Sequence, residues 1–107
     1  MILMKFSDEL IEQLTILDGK LNDTEKETLI AFVIALNRSI TARCSFEHMV
    51  KRLNADYKQD SEKFKEIRSH SVKILIRLGL LIKHPSGKMT YQISKIALLY
   101  YFWKVEN

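Results

Sequence analysis

Apolar residues recur at helical spacing in two segments of the first third of the chain. In the first segment, Ser7 is a suitable N-cap and one face stays apolar as far as about Leu17. In the second, Thr24 and Glu27 have the spacing of a capping box, and apolar positions recur at i, i+3, i+4 and i+7 as far as Leu36. The pattern predicts two helices, of which the second is the more deeply buried.

Polar and apolar residues alternate in two later segments, as they do in β-strands with one buried face. The first of these segments is 39–44. In the second, Met89, Tyr91 and Ile93 alternate with polar neighbours, and the preceding turn over 85–87 contains proline and glycine. Pairing of the first strand with this hairpin would give a small three-stranded antiparallel sheet.

Three helices are predicted in the remaining segments. Ser45 can cap a short helix, and a turn is predicted for 54–59. A long helix follows, which Asp60 or Ser61 can cap, and it continues until Gly79 ends it, because glycine tolerates the left-handed conformation. After the hairpin comes a last helix that is apolar almost all round.

The succession helix, helix, strand, helix, helix, strand, strand, helix resembles the winged helix-turn-helix superfamily, particularly its small MarR-like and PadR-like prokaryotic or viral regulators. The resemblance covers roughly 21–99. Residues 46–53 are similar to the first helix of the helix-turn-helix, 71–81 to the end of the recognition helix, and 91–95 to the return strand of the wing. The connection over 54–60 departs from the pattern, because the usual turn has about three to four residues.

This resemblance implies an α+β fold that is mostly helical, a winged helix-turn-helix with a small three-stranded antiparallel sheet and added N- and C-terminal helices. We expect one domain over 1–107, with an N-terminal helix (1–20), a winged-helix core (21–93) and a C-terminal helix (94–107). The implied function is sequence-specific binding of double-stranded DNA by a small transcriptional regulator. A winged helix can instead serve as a protein–protein interaction module without DNA binding, and this alternative stays open.

Charge is unevenly distributed along the chain. The net charge is +4, but residues 1–37 hold three lysines against seven acidic residues, whereas 38–107 hold fourteen Lys and Arg against six. An acidic first third and a basic remainder indicate one region for protein contacts and one for a polyanion. The single cysteine cannot form an intrachain disulfide, and nothing in the sequence indicates a signal peptide or a membrane span. We therefore expect a cytoplasmic protein without membrane contact.

The candidate DNA-contacting residues carry cationic or hydrogen-bonding side chains on the long helix, on the hairpin or near the start of the third helix. Helical geometry places Glu62, Lys65, Glu66, Ser69 and Lys73 on the outer face of the long helix, which would meet the major groove. The two carboxylates weaken this interpretation, because near phosphates they cost free energy unless they read cytosine or pair with neighbouring lysines. The full set is Arg43, Ser45, Lys63, Lys65, Arg68, Ser69, Lys73, Lys83, His84 and Lys88. A charged helix face can also be merely solvated, and lysines also protect edge strands.

Signals for catalysis or metal binding are weak. Cys44 and His48 are four residues apart, but no second ligand pair accompanies them. The sequence has no glycine-rich phosphate loop, nucleophile elbow or paired-carboxylate motif. We therefore predict that the protein is not an enzyme and uses no metal or other cofactor.

The aromatic segment 100–103 indicates self-association. The apolar surface of the last helix exceeds what one side of a small core can cover, so we predict a homodimer formed together with residues 1–17. The predicted interface residues are Leu10, Leu14, Leu99, Phe102 and Trp103. Alternatively, the two terminal helices cover each other within one chain.

Overall fold

The computed structural model describes residues 5–85 and 87–106, which form seven α-helices and a two-stranded antiparallel sheet. The helices are α1 (Asp8–Lys20), α2 (Asp23–Ala35), α3 (Phe46–Val50), α4 (Ala55–Gln59), α5 (Ser61–Glu66), α6 (Val72–Arg77) and α7 (Lys95–Tyr101). The strands are β1 (Leu81–His84) and β2 (Thr90–Ile93), and π-helical turns follow α5 (Ile67–Ser71) and α7 (Phe102–Glu106). The fold is mostly helical and of the α+β class, as predicted.

Side-chain caps start four helices where the sequence predicts them. Ser7, Ser45 and Ser94 each accept a backbone N–H with the side-chain oxygen, at the starts of α1, α3 and α7. Asp60 caps α5 by accepting from two backbone N–H groups. Each cap satisfies donors that have no partner inside the helix, so these short polar residues determine where the helices begin.

The capping box of α2 lies two residues earlier than predicted. Asn22 Oδ1 accepts from Glu25 N at 2.8 Å, and Asn22 N donates to Glu25 Oε1 at 3.0 Å. The assignment of the box to Thr24 and Glu27 is therefore wrong, since Thr24 is already inside the helix and Glu27 accepts from Asn54 N instead. Asparagine is at least as good an N-cap as threonine, which allows the helix to start earlier.

Residues 54–59, predicted as a turn, form the short helix α4 instead. Asn54 caps it by accepting from Asp56 N at 3.0 Å. The ring of Tyr57 is half-buried and lies 4.9 Å from the ammonium of Lys63 on the next helix. A connection of this length has several backbone donors and acceptors to satisfy, and a helical turn pairs them locally.

A single antiparallel bridge replaces the third strand predicted over 39–44. Cys44 and Tyr91 exchange two backbone hydrogen bonds of 3.0 and 2.8 Å beside β2. Before the bridge, the Ser39 hydroxyl accepts from the N–H groups of Thr41 and Ala42, so these donors are not available to a ladder. Within the described residues the sheet thus has two strands, and the prediction of three is wrong.

Two glycines lie where the sequence predicts them, one after the long helix and one in the turn of the hairpin. Gly79 has φ of 75° after α6, and Gly87 has φ of 67° between the strands, a region that side chains disfavour. Leu81 of β1 pairs with Ile93 of β2, and both are buried. Ser86, in the middle of the predicted turn, lies outside the described residues.

A π-helical turn interrupts the long helix that the sequence predicts. α5, the turn Ile67–Ser71 and α6 follow one another without a break, and Val72 N donates to Ile67 O across the turn. The wider turn buries both Ile67 and Val72, although these residues are five positions apart. It also buries Ser71, whose hydroxyl has no hydrogen-bond partner among the described residues.

α2 lies at the centre of the core, as its apolar pattern predicts. Leu29, Phe32 and Val33 are fully buried, and α2 contacts α3, the long helix and α7. The neighbouring elements contribute further buried side chains, namely Leu14, Met49, Ile67, Leu75, Leu81, Ile93 and Tyr100. α3, the long helix and the hairpin are therefore held on one common support.

The terminal helices contact each other within the chain. The Tyr100 hydroxyl donates to Asp18 of α1 at 2.6 Å, and Tyr100 itself is fully buried. Burial raises the pKa of Tyr100 and the bond to the Asp18 carboxylate raises it further, so the hydroxyl stays a neutral donor. No helix in the described part of the chain has the length and the apolar character that crossing a membrane requires.

One residue of the predicted dimer interface is misassigned. Leu14 is fully buried against the core of its own chain and has no surface left for a partner. Leu10, Phe102 and Trp103 are half-buried against the same core, and Leu99 is half-buried. Residues 1–4 of the predicted interface lie outside the described residues.

Candidate nucleic-acid interface

The long helix, α3 and the hairpin enclose a cleft of about 260 Å³. Val72 is buried in it and the rings of Phe46 and Tyr91 are half-buried, whereas the charged side chains are exposed. The lining residues are Phe46, Glu47, Arg68, Val72, Lys88, Met89 and Tyr91. The cleft therefore combines apolar and aromatic side chains with two cations and one carboxylate, which are exposed at its mouth.

Aromatic contacts hold the walls of this cleft in place. Phe46 meets Phe64 edge-on with ring centroids 6.0 Å apart, and the Arg68 guanidinium lies 4.9 Å from the centroid of Phe46. On the opposite wall, Tyr91 packs edge-on against Phe32 at 5.4 Å. These contacts tie α3 and β2 to the core, and the cation–π contact restricts where the Arg68 head can lie.

Positive charge prevails at the mouth of the cleft. Arg68 Nη2 lies 3.9 Å from Glu47 Oε1, a distance that gives attraction but exceeds that of a hydrogen bond. Within the part of the chain that the structure describes, Lys88 has no acidic group at ion-pair distance. Burial raises the pKa of Tyr91. The charge of Glu47 raises this pKa further and that of Arg68 opposes the shift, so the Tyr91 hydroxyl is neutral at physiological pH.

Exposed polar side chains continue along the long helix, where the sequence predicts its outer face. Lys65, Ser69 and Lys73 are all exposed, and the Ser69 hydroxyl donates to the Lys65 carbonyl oxygen at 2.7 Å. Lys63 is also exposed, with its ammonium over the ring of Tyr57. Exposed cations therefore extend from the cleft along the helix, with the exposed Glu62 and the half-buried Glu66 among them.

The hairpin exposes two lysines and withdraws a histidine. Lys83 and Lys88 are exposed, as predicted. His84, predicted to reach into solvent, is half-buried, and its Nε2 lies 2.8 Å from Gln92 Oε1. Gln92 in turn donates to the carbonyl oxygen of Ile40. His84 thus braces the hairpin against the loop that precedes α3, because the two strands place these side chains on the same face.

Arg43 and Ser45 lie apart from the cleft, in a second hollow of about 370 Å³. Arg43 is exposed, whereas the Ser45 hydroxyl already accepts from His48 N at 3.1 Å as the cap of α3. Burial raises the pKa of the neighbouring Cys44 to about 11, which keeps it a thiol. Among the described residues, no three His, Cys, Asp or Glu side chains gather in a metal-binding arrangement.

Five residues of the cleft are absent from the set that the sequence predicts, namely Phe46, Glu47, Val72, Met89 and Tyr91. Strand alternation assigned Met89 and Tyr91 to the buried face, and Phe46 and Val72 carry no polar group that marks a binding site, so none of these four stood out as a surface residue. Glu47 lies in the first turn of α3, two residues after the capping Ser45, where a carboxylate is favoured by the helix dipole. No signal in the sequence connects Glu47 with Arg68, since only the packing of α3 on the long helix brings them together.

The comparisons with known proteins identify no relative of this chain. No protein-family model, no curated protein and no solved structure matches it. The geometry and the charge of the site are therefore the features that bear on its function.

Proposed function

We propose that the protein is a small transcriptional regulator that binds specific double-stranded DNA sequences through a winged helix-turn-helix. One observation carries the proposal, namely that cations of the long helix and of the hairpin border the same cleft, Arg68 on one side and Lys88 on the other. Lysine and arginine neutralise backbone phosphates, which supply most of the non-specific affinity for DNA. A helix flanked by a basic hairpin matches a duplex, with the helix in the major groove and the hairpin on the adjacent backbone.

The order and packing of the elements support this assignment. In the proposal, α2 is the buried support, α3 is the first helix of the helix-turn-helix, and α5 to α6 form the recognition helix. The helix α4 occupies the connection that is longer than usual, and β1 with β2 forms the wing. The bridge between Cys44 and Tyr91 lies where a winged helix has its third strand.

The side chains have distinct roles in this arrangement. Lys65, Ser69 and Lys73 face the major groove, where they donate to base edges and to phosphates. Lys83 and Lys88 reach the backbone beside the minor groove. Base contacts determine the preferred sequence, whereas phosphate contacts position the protein on the duplex.

We also propose that the protein binds DNA as a homodimer, with the two recognition helices about 34 Å apart, one turn of the duplex. The apolar side chains that support this proposal lie on α1, which carries the exposed Ile11 and Ile16 and the half-buried Leu10. Phe102 and Trp103 are half-buried at the other end of the chain. Two-fold pairing would cover these side chains.

Titration with random-sequence duplex DNA at two salt concentrations tests the proposed function. We expect a Kd in the micromolar range or below at low salt, and a fall of log K with log salt of about 0.9 per neutralised phosphate. The Lys73→Ala variant should bind about five- to tenfold more weakly. The Lys20→Ala variant, which removes the same charge from α1, should bind as the unmutated protein does.

Two results would contradict the proposal. A flat salt response, or no binding at low ionic strength, would favour the protein-interaction module. Repeated selection from a pool of randomised duplexes tests whether binding is sequence-specific. If no motif is enriched in the selected pool, the protein binds DNA only non-specifically.

A further inference from the structure

Glu47 is the one acidic side chain among the described residues that line the cleft. Its carboxylate lies 3.9 Å from Arg68, and the two side chains are 69% and 62% exposed. An ion pair this exposed and this long contributes little to stability. The position of Glu47 is therefore more informative than the strength of its ion pair, because Glu47 places a negative charge where the proposed function needs a positive one.

A carboxylate and a phosphodiester compete for the same atoms of a guanidinium group. Both are anionic acceptors, and both form their best bonds with the N–H edge of arginine. The Arg68 head contacts the Phe46 ring at 4.9 Å, and this contact favours a position at the mouth of the cleft where both acceptors approach it. At 3.9 Å its donors are not hydrogen-bonded to Glu47, and a phosphate can displace the carboxylate at small cost.

We propose that the cleft takes one backbone phosphodiester of duplex DNA between Arg68 and Lys88, and that Glu47 is an intramolecular competitor for it. This inference rests on the proposed function. In the free protein Glu47 occupies the Arg68 end of the site, and on binding its carboxylate turns into solvent. Glu47 thereby lowers affinity for any polyanion, and base contacts at a specific site must supply the free energy that is lost.

Charge removal at Glu47 tests this competition, with a matched charge removal elsewhere as the control. The Glu47→Gln variant should bind random duplex DNA about two- to fivefold more tightly than the unmutated protein at low salt. Glu12→Gln, on a helix that contributes nothing to the cleft, makes the same change in net charge and should shift affinity by much less because of screening. Glu47→Ala should reproduce the gain, since the effect depends on the lost charge.

A double-mutant cycle with Arg68 separates competition from general repulsion. If Glu47 acts through Arg68, the gain from Glu47→Gln disappears in the Arg68→Ala background. Because both side chains are exposed, the variants should unfold at nearly the temperature of the unmutated protein, which circular dichroism checks.

The outcomes distinguish the inference from the function on which it rests. If the unmutated protein binds DNA but Glu47→Gln gains no more than Glu12→Gln, the competition is overturned and the proposed function stands. Weaker binding by Glu47→Gln, with altered preference at one base, would also overturn it, because Glu47 would then read a base. If neither the unmutated protein nor Glu47→Gln binds duplex DNA, the proposed function falls together with the inference.

Discussion

At the residue scale, Asp18 joins the two ends of the chain. Its carboxylate accepts from the Tyr100 hydroxyl at 2.6 Å, and its Oδ1 lies 3.5 Å from Lys26 Nζ and 3.3 Å from Lys104 Nζ. Burial by itself raises the pKa of Asp18, but the hydrogen bonds from Tyr100 and Lys104 and the two positive charges together lower it below its ordinary value. The contact between α1 and α7 therefore depends on an ionised carboxylate.

Replacement of Asp18 by asparagine should reduce the free energy of unfolding at pH 7 by about 1–2 kcal/mol, the scale of a charge-assisted hydrogen bond. Because the pKa is lower in the folded state, the stabilising contribution is fully present above the unfolded value of about 3.9 and is lost as pH falls through the folded value. Urea denaturation from pH 7 to pH 2.5 measures the difference. The two proteins should converge at the acidic end, and a gap that is independent of pH would contradict this explanation.

At the element scale, local patterns determined the ends of the long helix but not its interior. Asp60 and Gly79 lie at its two ends as predicted, since caps and left-handed glycines act within one turn. The π-helical turn in between has no comparable local signal. It accompanies the burial of Ile67 and Val72 beside α2, which depends on residues far away in the chain.

The two exposed lysines of the hairpin are expected to contribute to DNA binding through phosphate contacts. Replacement of Lys83 and Lys88 by alanine should reduce the salt dependence of DNA binding by about one unit of slope per lost phosphate contact, because each contact releases counterions. Helix content should not change, since both side chains are exposed. Titrations over a range of salt concentrations, with circular dichroism as the folding control, measure both. Unchanged binding would mean that these lysines only protect the edges of a two-stranded sheet.

At the scale of the whole molecule, the terminal helices are covered only in part by their own chain. Leu14 and Tyr100 are fully buried, but Ile16 is 54% exposed and Val105 is also exposed. A protein of this size tolerates scattered apolar surface, so the exposed residues of α1 support self-association only if they act together.

The Ile16→Glu variant tests the proposed dimer with little risk to the fold. Because Ile16 is the most exposed of the large apolar side chains in the described residues, a charge there should disturb the partner contact and leave the core intact. We expect the unmutated protein to sediment as a dimer at tens of micromolar and the variant as a monomer. Ile82→Glu, on the hairpin, changes an equally large exposed side chain and should remain dimeric. A monomeric unmutated protein would exclude the dimer.

The sequence also predicted the candidate site in part. The exposed Lys65, Ser69 and Lys73 follow from helical spacing, because the residues opposite an apolar face must lie in solvent. The withdrawal of His84 could not be predicted in the same way. It depends on Gln92 and on the Ile40 carbonyl, which the chain brings together only when the hairpin packs on the preceding loop.

The sequence by itself determined four of the helix starts, the hairpin and the uneven charge, because capping, apolar period and glycine conformation are interactions among residues a few positions apart. Only the tertiary structure decided that the sheet has two strands, that a π-helical turn lies in the long helix and that Glu47 stands beside Arg68. Each of these depends on free energies of packing between distant segments. Such contacts produce no periodic pattern of residues in the sequence, so they cannot be predicted from local patterns.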